Sequence, residues 1–242
     1  MKKPGNHPAF KVFQSVYILQ MLWAFIVLGA IVLLHFVLAL VIGDLQWIDR
    51  TALSALSNPM QVYMFVMGII AGAYFLKHFI RHGVTRKHTF AGSLAAGFAV
   101  VVSLQVVALA LTFLSYGFEA ITPYEAGRET IAYLGEERGY ILSMTINAAL
   151  TLVYYLFGWL IGIGFYRFKV LRGFGFIVLA IFAIGITSTM WLPGSEMNVM
   201  GIPLHIIETK SLWVAFIITD TVLLFGVVLL YTIHRNAPVK PN

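Results

Sequence analysis

The chain contains no cysteine. That excludes disulfides, thiol catalysis and thiolate metal sites. Charge is scarce as well: Asp, Glu, Lys and Arg make up 11% of the 242 residues, against about 25% in a soluble domain. Three motifs are also missing. Without GxxxxGK[ST] there is no phosphate loop for ATP, without HExxH no helical zinc pair, and without GxSxG no serine elbow. No enzymatic activity of its own is expected of this chain. What fills the space is apolar: hydrophobic residues reach 60% and the mean hydropathy is +0.88. A 26.9 kDa globule cannot hide that much apolar surface from water, so the composition describes an integral membrane protein.

A helix needs roughly 20 consecutive apolar residues to cross the hydrocarbon layer. Six runs qualify: Val16–Ile42, Met60–Phe79, Ala91–Tyr116, Ile141–Tyr166, Phe174–Leu192 and Leu212–Ile233. Each is continuously apolar rather than alternating, which favours helix over barrel strand. The first run is too long for a cleavable signal peptide and lacks a small-residue cleavage site. The expected fold is all-α: a polytopic bundle of six transmembrane helices with both termini cytoplasmic. Residues 1–242 form one membrane domain, with a cytoplasmic interfacial helix over 1–15, the spans over 16–233 and a cytoplasmic tail over 234–242.

Orientation follows from the bases, which favour the cytoplasmic side of short loops. Lys2, Lys3, Lys11, Lys77, Arg81, Arg86, Lys87, Arg167, Lys169, Arg172, Arg235 and Lys240 share one side; only Arg50, Arg128, Arg138 and Lys210 take the other. The net charge of +6 is therefore a membrane-edge feature and not a nucleic-acid face. Nine of the ten acids fall on the outer side, where Gly117–Gly139 has room for a small helix around Tyr124–Glu137. The stretch Pro193–Ser211, apolar but broken by glycine and proline, is expected to re-enter the outer leaflet under a protein cover.

Within the spans, Asp220 is the one acid. An ionisable residue at that depth is costly and defaults to the bundle interior or a cavity. Asn147, Thr151 and Gln105 are candidates to reach it from other helices, and the bland alternative is a buried acid that locks packing. His35 is the only histidine well inside a span, so a bis-histidine haem has no second ligand and His35 reads as a packing residue. Glu136-Glu137-Arg138 is a glutamate-rich pattern of membrane proteases, but it falls in an outer loop with no metal-ligand spacing nearby. Gly68/Gly72 and Gly158/Gly162 form GxxxG pairs that allow close helix approach, within the chain or between copies. The segment Lys77–Ala91, with Gly83 ending one helix and Thr85 placed to cap the next, is either a topological anchor or a docking element.

Three stretches together resemble the small six-span permease subunits of type-2 ATP-binding-cassette (ABC) exporters of Gram-positive bacteria. These are GVTRKHTF at Gly83–Phe90, YYLFGWLIGIGFYRF at Tyr154–Phe168 and the amphipathic lead-in His7–Gln14. The likeness implies a permease in the bacterial plasma membrane with no cofactor of its own. ATP and Mg would be bound by two separate ABC ATPase subunits, and a second permease subunit, identical or related, would complete the pathway in the lipid. It implies coupling through Gly83, Val84, Thr85, Arg86, Lys87 and His88, with Arg167, Lys169 and Arg172 as secondary contacts. The spans carry no regular array of charge, so the expected cargo is amphipathic, peptide or lipid-like, and antimicrobial-peptide resistance follows by family alone. Two other readings stay open: an autonomous carrier or channel using Asp220, and a membrane sensor or scaffold that moves nothing.

Overall fold

In lipid, backbone amides have no water to bond, so apolar runs must satisfy themselves as helices. The computed structural model describes residues 7–42, 51–119, 131, 139–168, 170–191, 197–199, 202–204 and 212–235. It contains six helices long and apolar enough to cross a membrane. They are α1 (Pro8–Ile42), α2 (Ala52–Arg81), α3 (Arg86–Glu119), α4 (Tyr140–Arg167), α5 (Val170–Trp191) and α6 (Leu212–Arg235). The fold is thus a polytopic helical bundle, and an even number of spans returns both ends to one side.

Three boundaries differ from the sequence expectation. The lead-in His7–Gln14 is not a separate interfacial helix: α1 runs unbroken through Pro8–Ile42, since no proline or glycine interrupts it before Gly29. The second helix begins at Ala52, ahead of Pro59. Its first turns are rich in serine and so escape a hydropathy reading, yet they are anchored. Thr51 caps them by accepting from Ser54 N (3.3 Å), and Leu53 N donates to Thr112 Oγ1 of α3 (2.9 Å). Between α5 and α6, part of the presumed re-entrant stretch is instead a short antiparallel hairpin, β1 (Met197–Val199) on β2 (Ile202–Leu204), with Met197 opposite Leu204. Of the candidate outer helix at 124–137, only Ile131 is among the described residues; it is buried and not helical.

Helix α4 is the axis of the bundle. In the most apolar window of each span, 72% of α4 is buried against 11% of α1. Trp159, Tyr155 and Phe157 are fully enclosed, while α1 presents Ile18, Leu22, Phe25 and Leu33 outward in a continuous apolar surface suited to lipid.

The tightest seam joins α4 to α2, and its glycines are reciprocal. A Cβ on Gly68 would lie 2.8 Å from Trp159 N, and one on Gly72 would lie 2.5 Å from Ile163 N. From the other side, Gly158 rests on the Phe65 carbonyl and Gly162 on that of Ile69. The GxxxG pairs are therefore used within the chain, letting two backbones touch where van der Waals contact is the main force available. Within this contact α2 loosens into a π turn over Ala71–Phe75, which includes Gly72 and shifts the register of its last turns, Leu76–Arg81.

A buried hydrogen bond joins α5 to α6, Trp191 Nε1 donating to Thr219 Oγ1 (3.0 Å). Thr219→Val removes that acceptor. The expected loss is about 1 kcal/mol, read as a lower unfolding temperature in detergent.

Candidate functional site

The turn between α2 and α3 is built by three local devices. Gly83 has φ +79°, a left-handed conformation that a side chain resists. Its N–H donates to Ile80 O (3.0 Å), and Val84 N reaches back to Phe79 O (3.0 Å), closing the helix as glycine-ended helices close. Thr85 then starts α3: its Oγ1 accepts from His88 N (3.4 Å) while its carbonyl accepts from Thr89 Oγ1 (3.1 Å). The result is a short, stiff, exposed corner. Gly83, Thr85 and Lys87 are exposed, with Val84, Arg86 and His88 half-buried.

Other chain ends meet this corner. The His7 ring lies edge-on to His88, with centroids 4.9 Å apart, so the start of α1 touches the start of α3. Arg86 Nη1 donates to Arg235 O (3.3 Å), and Arg167 Nη1 donates to Ile233 O (3.1 Å). Both guanidiniums thereby cap the end of α6, where carbonyls lack helical partners. Arg172 is exposed on α5 and, among the described residues, makes no hydrogen bond to the corner; Lys169 lies outside the described residues. Between α3 and α6 is a pocket of about 300 Å³ lined by Arg86, Lys87, Phe90, Tyr231, His234 and Arg235.

His234 corrects the expectation of a tail beginning at 234. The α6 helix continues through Arg235, and His234 is buried at 1% exposure. One turn beyond Leu230, it falls on the inward face, where its ring stands 6.0 Å from that of Trp159 and 5.5 Å from that of Phe90.

A second polar group lies inside the bundle. Gln61 Nε2 donates to Asn147 Oδ1 (3.0 Å), and Asn147 Nδ2 donates to Gln105 Oε1 (3.3 Å). Thr151 turns its hydroxyl onto the Asn147 carbonyl one turn back (2.6 Å). Toward the basic end, the Tyr63 hydroxyl donates to the Gln20 carbonyl and the Tyr155 hydroxyl to Ser93 O (3.2 Å). The Gln20 carboxamide is wholly buried beside the Tyr155 hydroxyl. Gln20, Gln61 and Tyr155 escaped the sequence reading, though a lone amide within an apolar run is the same signal that singled out Gln105.

Asp220 does not join this group. It is exposed on the outer surface of α6, whereas Gln105, Asn147 and Thr151 are buried in α3 and α4. One residue decides the difference: Thr219 faces inward to Trp191, so Asp220, about 100° further round the helix, faces out. His35 is half-buried on α1, its ring edge-on to Phe36 at 5.7 Å. An apolar cleft of about 210 Å³ opens between α1, α2 and α3, lined by residues such as Phe25, Leu28, Met60 and Leu104. Among the described residues, no cluster of three His, Asp or Glu could hold a metal ion.

Fold and surface together define a multi-pass membrane protein with a basic, structured end. No protein-family model, curated protein or solved structure matches the chain.

Proposed function

We propose that this chain is the membrane-spanning permease subunit of an ATP-driven exporter in the bacterial plasma membrane. In this reading two ATPase subunits dock beneath it and bind ATP and Mg, a second permease subunit completes the pathway, and the cargo is amphipathic, peptide or lipid-like. The observation that carries the reading is the corner at Gly83–His88. It is exposed, it is stiffened by a left-handed glycine and a threonine cap, and it is continuous with two long helices. A push on such a corner is transmitted along α2 and α3 rather than absorbed by a loose loop. The cytoplasmic segments carry bases and no Asp or Glu, a charge that suits an acidic docking surface. The apolar cleft between α1, α2 and α3 supports an amphipathic cargo over an inorganic ion.

The mechanism is a population shift. Nucleotide-driven closure of the ATPases would favour one arrangement of the permease pair, and hydrolysis would release it; the shift is limited by the difference in affinity for the two arrangements. A carrier working inside a single chain is less well supported, because Asp220 is on the outer surface and away from the interior amides.

The test is recovery of a tagged chain from its native membrane in mild detergent, followed by mass spectrometry. A near-stoichiometric ABC ATPase is expected. Lys87→Glu, at an exposed position on the corner, is expected to reduce that recovery at least about tenfold, a size seen for unfavourable charge at an interface, while the chain stays inserted. Recovery of the wild-type chain alone, under conditions that preserve other complexes, overturns the reading.

A further inference from the structure

We propose that the pocket between the start of α3 and the end of α6 binds the phosphate of an anionic phospholipid from the cytoplasmic leaflet. The inference is independent of the exporter reading, because it concerns one chain and its membrane.

Four features converge on the pocket. First, three of its six lining residues are permanent cations, Arg86, Lys87 and Arg235, and none is an acid. Second, the α3 N-terminus opens onto it, and the first N–H groups of a helix favour an anion. Third, at the opposing end of α6 two of the carbonyls that would repel an anion are already held by guanidiniums. Arg167 holds the Ile233 carbonyl and Arg86 the Arg235 carbonyl. Fourth, His234 lines the pocket with its Nε2 buried and without a hydrogen-bond partner. A buried nitrogen left unsatisfied is costly in a folded protein, and an acceptor oxygen arriving in the pocket would meet it.

Position selects a lipid as the source of that phosphate. The pocket is at the ends of two membrane-spanning helices, at the depth where headgroups lie, and basic pockets between such helices on the cytoplasmic side suit anionic headgroups. Its aromatic lining continues into lipid: Tyr231 is 38% exposed, and Val228, on the same face of α6, is 64% exposed. A headgroup held at Arg86 and Arg235 would lay its acyl chain along that face.

The experiment uses the purified full chain, stripped of lipid in detergent and titrated with phosphatidylglycerol or phosphatidylcholine, with bound lipid counted by native mass spectrometry. Saturable binding of phosphatidylglycerol, at least about tenfold tighter than phosphatidylcholine, is expected, since each base near a membrane surface contributes severalfold. Arg86→Gln with Arg235→Gln should erase the preference. Arg86→Lys with Arg235→Lys should retain most of it, which separates lost charge from lost fold. Lys11→Gln with Arg172→Gln, exposed bases that do not line the pocket, should leave it intact. Equal loss in both glutamine pairs would mean a diffuse surface charge and overturn the proposal, as would equal binding of the two lipids. Displacement of the lipid by millimolar inorganic phosphate would identify a soluble anion as the ligand and overturn it too.

Discussion

Replacing Gly158 with leucine is expected to abolish the folded bundle. A Cβ at this position would overlap the Phe65 carbonyl oxygen and lie 3.0 Å from its carbon. The obstacle is backbone, which cannot rotate away as a side chain can. Relief therefore requires α2 and α4 to separate along their whole seam, including the contacts of Gly68, Gly72 and Gly162. Overpacking a well-packed interior costs about 1–3 kcal/mol for a single added group; Gly158→Ala is expected at that level and the leucine variant well beyond it. Gly29 and Gly175 give the contrast, because a Cβ at either meets nothing within 4 Å. Alanine there should be neutral or stabilising by up to about 1 kcal/mol through helix propensity alone. Size-exclusion profiles and unfolding temperatures in one detergent check the series. A Gly158→Leu protein that elutes and melts like the wild type would contradict the seam.

The six spans were legible because hydropathy is a property of runs, and each run is continuously apolar. The faces were not. Gly68, Gly72, Gly158 and Gly162 are visible as GxxxG pairs in sequence, but the pattern permits packing on any partner; only the structure places the two pairs on each other. The start of α2 was missed for a different reason. Ser54 and Ser57 depress hydropathy, yet in the fold they are buried, with the Ser57 hydroxyl returned to the Ser54 carbonyl (2.7 Å). His234 was misread because a histidine beside an arginine at the end of an apolar run resembles a tail. What decides its burial is helical phase: it follows Leu230 and Ile233 on the inward face. The corner at Gly83–His88 was the most legible element of the candidate site, since Gly83 and Thr85 carry local signals. The pocket beside it depends on α6 arriving next to α3, which no local signal contains.

Asp220 yields the sharpest expectation, because its surroundings oppose its chemistry. It lies about 12 Å along α6 from Leu212, within the outer half of a hydrocarbon layer about 30 Å thick. Ile217 and Leu224, on the same face, are 64% and 68% exposed. The neighbouring Thr221 offers no donor, since its hydroxyl is bonded to the Ile217 carbonyl (2.6 Å). A chain alone in lipid would thus hold an acid against acyl chains, at a cost of about 2.5–3.5 kcal/mol for such a residue near a span centre. The proposed second permease subunit removes that conflict by covering this face of α6 or by enclosing water against it. Asp220→Leu separates the two settings. The isolated chain should lose nothing and could gain up to about 3 kcal/mol, with an unfolding temperature at or above the wild-type value. Pairing of permeases, followed by crosslinking in native membranes, should fall sharply, and export with it. A variant that unfolds more easily but pairs normally would show that Asp220 serves its own bundle, and the face it occupies would then have no claim as a subunit contact.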